Sequence, residues 1–556
     1  MKKFKSLAIV LVIISLLLTS VGCVIKDSGG QTSNSNKVAD TGNKDEKGSE
    51  AKQPRKLHVL GPDKSGKVVK FGDREKFPVW KEVQKLLDQE NLEIKYEIVP
   101  FEQYNVVIQT RMAAAGDLPD IVNLSPLDDT TVLNLAKQNT ILELNSLIDK
   151  YSNGNIKNMY TKDFPFAKQL TTSPDGKMYW FSNLHIKLYK GTQPAPVALT
   201  MIIRKDWLDK LNIPAPTTAQ EYLNALKTMR KQDANASGKE DEILIYDPSV
   251  FKGAIAQWFG LGTDITAVDI ENKKVVSPWY QEGIKEYFKY VQTLVKEEIL
   301  DTSLIGAGSE AVQQKITENK AASLSDYNME TYREPTIQGG GEYTPLMPLK
   351  AVEGIKPAAQ KEPPFLVWKK YAITKNCKNP DAAISFFDVI YSKEYADLLF
   401  WGIKDFTYKV NDDGIREFVD ITGSFDTKLA DSGKIAGNQV FGDTVFPRVQ
   451  FANLEYELAN IPQHKKDHQL KIIDYSPYYV NQNQNYLAIP NTEQLERKTK
   501  VLNDLKTYSA ELAAKLALGQ KSLDDWDVYI TELKKLGLDQ LIEMDQQLLD
   551  RYFELK

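Results

Sequence analysis

The sequence predicts an α/β fold on a mainly parallel sheet. Three observations carry that expectation. Strand, helix and strand patterns alternate from residue 56 to 124, the same kinds of pattern return near 200 and at 371–392, and the last 65 residues carry only helical periodicity.

KLHVLG (56–61) reads as a buried strand. PVWKEVQKLLDQ (78–89) predicts a helix opened by Pro78, with Val79, Val83, Leu86 and Leu87 on one face. LEIKYEIV (92–99) alternates Leu92, Ile94, Tyr96 and Ile98 at strand period. Tyr104, Val107, Ile108, Arg111 and Met112 set a second helix that Gly116 should stop, and IVNL (121–124) is the next strand. After residue 200, Thr218 and Glu221 stand at capping-box spacing, ahead of a face formed by Tyr222, Ala225, Leu226 and Met229. A helical pattern occupies 280–298, YAITKN (371–376) suits a strand and DAAISFFDVIYS (381–392) a helix. Leu495, Leu502, Leu505 and Leu512 share a helical face, Ser522 and Asp525 start another helix, and Gly537 ends it.

The N-terminus predicts export. Lys2, Lys3 and Lys5 precede a 12-residue apolar run, Leu7 to Leu18, which suits a signal peptide better than a membrane span. Small residues then lead to Cys23, as at the cleavage site of a bacterial lipoprotein signal, although Ser20 stands where Leu is more usual. The expectation is a signal over 1–22 and a lipid-modified Cys23, with an ordinary secretory signal as the alternative. The only other cysteine is Cys377, so no internal disulfide framework exists. Residues 26–56 are polar and lack aromatics, which suits a flexible tether over 23–56. Five hundred residues remain from Leu57 onward, enough for two or more domains. Losing the signal's three lysines takes the formal charge from -5 to -8, which argues against a nucleic-acid partner.

Motifs for catalysis are weak. GPDKSGKV (61–68) resembles a phosphate-binding loop, but Val68 supplies no hydroxyl for magnesium. HKKDH (464–468) has the histidine spacing of a zinc helix but Lys465 in place of the catalytic Glu, so a solvated helix is expected. QGGGEY (338–343) has loop glycines without a strand-to-helix context, and no G-x-S-x-G elbow occurs.

DANASGKEDE (233–242) is a stronger candidate. Asp233, Asn235 and Ser237 alternate, Gly238 suits a sharp turn, Lys239 offers a carbonyl, and Asp241 and Glu242 close the shell. Calcium takes six to eight such hard oxygens. A polar turn of the same composition is the alternative. Trp180, Trp258, Trp279, Trp368 and Trp401 fall near loops or element ends, where indoles stack on sugar rings or pack in a core.

Several stretches together resemble extracellular solute-binding proteins, family 1, of ATP-binding-cassette importers. They are MAAAGDLPDIVNL (112–124), IRKDWLDKLNIPAPTTAQEY (203–222), the calcium-like loop, ITKNCKNPDAAISFFDVIYS (373–392), WGIKDFTY (401–408) and DDWDVYITELKKLGLDQLIEMDQQLLDRY (524–552). More narrowly, the chain is similar to the large Gram-positive lipoprotein subgroup that includes relatives of the alginate-oligosaccharide binders. It departs from that subgroup at GIKD (402–405) and MYWFSN (178–183). The resemblance implies a two-lobed periplasmic-binding-protein-like fold of type II, with mixed parallel sheets flanked by helices and a helical C-terminal extension. Lobe 1 would take 57–190 and 371–430, and lobe 2 would take 191–370 and 431–556.

The function so implied is that of a non-catalytic, lipid-anchored receptor on the outer face of the cell membrane. It would be a monomer that holds an oligosaccharide between its lobes and delivers it to the transmembrane permease subunits of the importer. Trp180, Trp258 and Trp401 are the expected stacking residues, and Asn123, Asp326, Tyr327 and Arg333 the expected hydrogen-bonding ones. Asp233, Asn235, Ser237, Lys239, Asp241 and Glu242 would hold a structural calcium ion. An anchored polysaccharide-degrading enzyme and a peptide-binding surface lipoprotein are the other classes.

Overall fold

The structure is a computed structural model that describes residues 53–63, 78–188, 199–248, 254–262, 264–307, 309–326, 341–359, 361, 365–412, 416–419, 449–453, 463–483 and 486–555. The signal and Cys23 lie outside them, as do the tether residues up to 52. The expected end of the tether at 56 is corrected, because Arg55 and Lys56 already belong to a strand paired along its length with Leu92–Pro100.

Strands in chain order are β1 (Arg55–Asp63), β2 (Leu92–Pro100), β3 (Ile121–Asn123), β4 (Phe181–Leu188), β5 (Thr200–Arg204), β6 (Ile243–Ile245), β7 (Ala267–Asp269), β8 (Lys274–Val276), β9 (Ala321–Asp326), β10 (Tyr343–Pro345), β11 (Ala358–Ala359), β12 (Phe365–Ile373), β13 (Tyr408–Val410), β14 (Arg416–Phe418), β15 (Val449–Asn453) and β16 (Val480–Asn483). A six-stranded sheet has the order β15-β4-β12-β3-β1-β2. Every neighbouring pair in it is parallel except those made by β12. Strand alternation divides its side chains between two cores. Leu57, Val59, Ile121, Tyr371 and Ile373 join one, while Leu60, Val122 and Ala372 join the other. Helix Pro78–Gln89 covers the first face through Val79, Trp80, Val83 and Leu87, and helix Phe101–Ala114 covers the second through Tyr104, Ile108 and Met112. This is the doubly wound arrangement expected of the βαβαβ pattern. The second helix ends one residue earlier than expected, with Ala115 rather than Gly116 in the left-handed cap at φ 50°.

A four-stranded sheet, β10-β5-β9-β6, organises a second core. Met201, Ile203, Leu244 and Ala322 face a cluster that includes helix Ala219–Lys231, helix Ile284–Lys296 and the C-terminal helices Thr492–Ala517, Trp526–Lys535 and Leu538–Glu554. Thr218 accepts from Glu221 N and Glu221 answers back, so the capping box forms as expected. A third sheet, β11-β16-β7-β8, completes the described core strands, and β13 and β14 make a separate hairpin.

The chain passes between the two main sheets at defined points. β4 belongs to the first sheet and the next strand, β5, to the second; the return is made by β12, which follows β11. β15 departs from the expected grouping. It lies within 431–556, yet it pairs with β4 in the first sheet, a contact that no local pattern in its five residues specifies. The helix Gln463–Tyr475 forms over the histidine pair, but His468 is 1 % exposed, so the expected solvated face is corrected to a buried one there. Of the phosphate-loop-like stretch, only Gly61–Asp63 is described, as the end of β1.

Candidate functional site

Parallel strands present their carboxyl ends along one rim, and ligands of open α/β sheets bind where the strand order reverses. Here that point lies between β1 and β3, at Asp63 and Asn123. Asn123 is buried, and its Oδ1 accepts from Ser125 N at 2.9 Å and from Ser125 Oγ at 2.5 Å. The Tyr104 hydroxyl donates to the Asn123 carbonyl at 2.7 Å, and burial holds its pKa far above the usual phenol value. Ser125 Oγ accepts from Lys370 N at 3.1 Å, and Lys370 Nζ pairs with Asp129 Oδ1 at 2.7 Å. Tyr371 pairs with Asn123 on one side and Phe181 on the other, so Trp180 reaches the same level of the sheet. Asn123, Ser125, Asp129 and Lys370 therefore gather at one rim, while Trp180, though level with them, belongs to the core on the face of Val122. Ser125, Asp129 and Lys370 were missed from sequence; the only available signal was the polar SPLDD run directly after a buried strand.

The three expected stacking residues differ in surroundings. Trp258 is 1 % exposed in the second core, with Tyr222 edge-on at 5.1 Å. It offers no open indole face in this structure, so a stacking role is replaced by packing. Trp180 is 3 % exposed in the core that holds Val122, Ala372 and Ile489. Trp401 is half-buried after helix Lys393–Phe400, with the Tyr408 ring at 5.6 Å and the Arg416 guanidinium over it at 5.4 Å. Trp279 is also core, donating to Ser509 Oγ at 3.0 Å. Asp326 ends β9 opposite Thr200. Tyr327 and Arg333 lie outside the described residues, as does the side chain of Trp368. A cavity of about 620 Å³ beside Tyr280 and Gln546, and one of about 790 Å³ beside Ile355 and Tyr478, contain none of the expected ligand residues.

The 233–242 loop joins helix Ala219–Lys231 to β6. Asp233, Ala236 and Gly238 take positive φ of 48°, 58° and 77°, which wraps the chain tightly. Asp233 accepts from Ser237 N at 2.8 Å and Gly238 N at 2.9 Å, and Asn235 Oδ1 accepts from Ser237 N at 2.9 Å. Ser237 Oγ donates to Asp241 Oδ1 at 2.9 Å and lies 3.4 Å from Lys239 O. Glu242 is 1 % exposed; one carboxylate oxygen accepts from Asn235 N at 2.9 Å, and the other is buried without a hydrogen-bond partner.

Burial raises the Glu242 pKa, and the charges of Asp233 and Asp241 add to it. Asp241 moves the other way. Burial alone would raise it, but bonds from Asn235 and Ser237 and the nearby Lys320 outweigh that effect. The oxygens converge around Ser237, and the orphaned Glu242 oxygen is what a hard cation would satisfy. Among the described residues, no group of three or more His, Cys, Asp or Glu side chains is placed to hold a metal by itself. A cation here would therefore depend equally on Asn235, Ser237 and the Lys239 carbonyl.

Two α/β cores with chain crossings between them, and a polar rim at the carboxyl ends of one sheet, define a two-lobed binding protein. The chain belongs to the bacterial extracellular solute-binding protein family, whose profile matches residues 73–397. It is 24% identical over 455 residues to the fructooligosaccharide ABC transporter substrate-binding protein FusA of Streptococcus pneumoniae serotype 4 (strain ATCC BAA-334 / TIGR4), covering 79% of this chain and 81% of that one. The structure of the S. pneumoniae FusA in complex with kestose matches with a TM-score of 0.67 at 20% identity, over 90% of this chain and 100% of that one. An EF-hand mutant of FusA in complex with fructo-nystose matches with the same TM-score, identity and coverage. The alginate-binding protein AlgQ2 without calcium ion matches with a TM-score of 0.62 at 22% identity, over 90% of this chain and 98% of that one. Among the described residues, no helix is long and apolar enough to cross a membrane.

Proposed function

We propose that this protein is a lipid-anchored extracellular receptor that binds an oligosaccharide between its two lobes and passes it to the permease of an ABC importer, with no catalysis of its own. The observation that carries this is the polar rim at the switch point of the first sheet, in a chain that matches FusA over most of its length. Amide, hydroxyl and carboxylate groups there suit sugar hydroxyls. Of the expected aromatics, Trp401 keeps a partly open ring and is the leading stacking candidate. Trp180, like Trp258, is buried in a core and is proposed to support the sheet behind the rim rather than to stack on the sugar. Asp326, Tyr327 and Arg333 remain the proposed contacts from the second lobe. Lobe 1 is proposed as 57–190 with 371–430 and the added strand β15, and lobe 2 as the remainder from 191 onward. Cys23 carries the proposed lipid anchor, which would hold a monomeric receptor at the membrane without spanning it.

Calcium is the proposed resident of the 233–242 loop, held by Asp233, Asn235, Ser237, the Lys239 carbonyl, Asp241 and Glu242. Its role would be structural: a cation that binds only the folded loop stabilises it by mass action. The relatives whose names mention an EF-hand and calcium support this assignment. Titrating a panel of oligosaccharides and peptides against tryptophan fluorescence tests the receptor reading. Saturable change with an oligosaccharide is expected; response to peptides alone, or release of new reducing ends from polysaccharide, would overturn it.

A further inference from the structure

The β4–β12 pair lies where the chain crosses between the two cores, and it contains a defect. Pairing runs regularly from Phe365–Ile186 to Trp368–Asn183, then shifts and resumes at Tyr371–Phe181. Lys369 and Lys370 thus oppose the single residue Ser182, the two-against-one count of a β-bulge. Lys369 has φ 68°, a left-handed conformation that a long side chain adopts at some cost.

Around the bulge, hydroxyl groups replace the ladder. Ser182 N donates to the Tyr391 hydroxyl at 3.1 Å, and that hydroxyl donates back to Ser182 O at 2.6 Å. Ser182 Oγ donates to Lys369 O at 2.9 Å. On the β3 side, Lys370 N donates to Ser125 Oγ, and Leu124 N donates to Lys370 O at 2.7 Å. Ladder bonds hold two strands in fixed register, whereas hydroxyls rotate and keep a bond as the backbone turns. Ser125 also bonds Asn123, and Lys370 pairs with Asp129, so the bulge is wired to the rim of the proposed ligand site.

We propose that the Lys369–Lys370 bulge is the pivot on which the lobes close, and that Ser125 is the positioning residue that couples it to Asn123. Hinges are a few element-terminal residues that absorb a change in φ and ψ. This rests on the receptor reading above, and its test is arranged to separate the two.

Pulsed electron resonance would measure the distance between spin labels on Lys81→Cys and Asn224→Cys, one exposed helix site in each proposed lobe, in a Cys23→Ser chain. Cys377 is buried and its thiol pKa is pushed up to about 12, chiefly by burial, so it should escape labelling. Without ligand, Lys369→Gly and Tyr391→Phe should broaden the distance distribution. Melting temperature should change little for Lys369→Gly and fall for Tyr391→Phe, which leaves the buried Ser182 amide and carbonyl without that hydroxyl. Lys369→Val should shift its mean, because a β-branched residue resists positive φ; if that variant fails to fold, Lys369→Gly decides. With an oligosaccharide bound, Lys369→Gly should raise the dissociation rate several-fold, and Ser125→Ala should reduce ligand-induced shortening of the distance. Ligand-free distributions of Lys369→Gly and Tyr391→Phe that superimpose on wild type would overturn the pivot. A wild-type protein that binds no oligosaccharide would overturn the receptor reading, while the ligand-free distances still decide the pivot.

Discussion

Glu242 shows how one residue can carry both a stability cost and a metal preference. Its folded pKa lies above the ordinary value of 4.5, first through burial and then through Asp233 and Asp241. The folded state therefore favours the protonated form. No penalty applies below the unfolded pKa, and stability is lost as pH rises through the folded one. With a chelator present, melting temperature should fall as pH rises from the ordinary glutamate range toward neutrality. Calcium should reverse that fall, and Glu242→Gln should remove both the slope and the calcium response. A chelator that leaves melting unchanged would return the loop to a polar turn. The tryptophans make a second residue-scale contrast. Trp258→Ala should cost about 3–5 kcal/mol of stability, as a large core truncation does. Trp401→Ala should instead weaken oligosaccharide binding by roughly 1 kcal/mol, on the order of fivefold in Kd, with less effect on melting. Equal binding by the Trp401 variant would remove it from the site. Sequence could not separate these residues, because a cleft and a core both favour an indole near an element end.

Among the elements, those with local signals were legible. The Thr218–Glu221 capping box, the Val79–Val83–Leu87 face and the Gly537 stop depend on spacing within a few residues, and each forms as expected. Thr218→Ala should lower stability by about 1 kcal/mol in a urea melt, through loss of its bond to Glu221 N at 3.1 Å. An unchanged urea midpoint would show the cap to be redundant. What sequence hid was pairing. β12 begins six residues before the expected strand and runs against its neighbours, and β15 adds to an edge far from it in the chain. A partner strand leaves no periodicity in the strand that receives it. The bulge at Lys369 was hidden for the same reason, since lysine is not a residue that announces a positive φ.

For the whole molecule, the family assignment and the two cores agree with the order of motifs along the chain, from MAAAGDLPDIVNL to the C-terminal helices. The grouping of segments into lobes was less legible, because it depends on which sheet each returning strand joins. The candidate rim was legible at Asn123 and opaque at Ser125, Asp129 and Lys370, which meet only through the fold. If the lobes close on an oligosaccharide, X-ray scattering should record a smaller radius of gyration in the complex; an unchanged radius would argue for a pre-closed site. The most direct measurement for the central claim is a calorimetric titration of the protein with oligosaccharides, followed by analysis of the recovered sugar. The account predicts saturable binding of one ligand per chain and an intact sugar after prolonged incubation. No heat with any oligosaccharide, or a sugar recovered with new reducing ends, would contradict it.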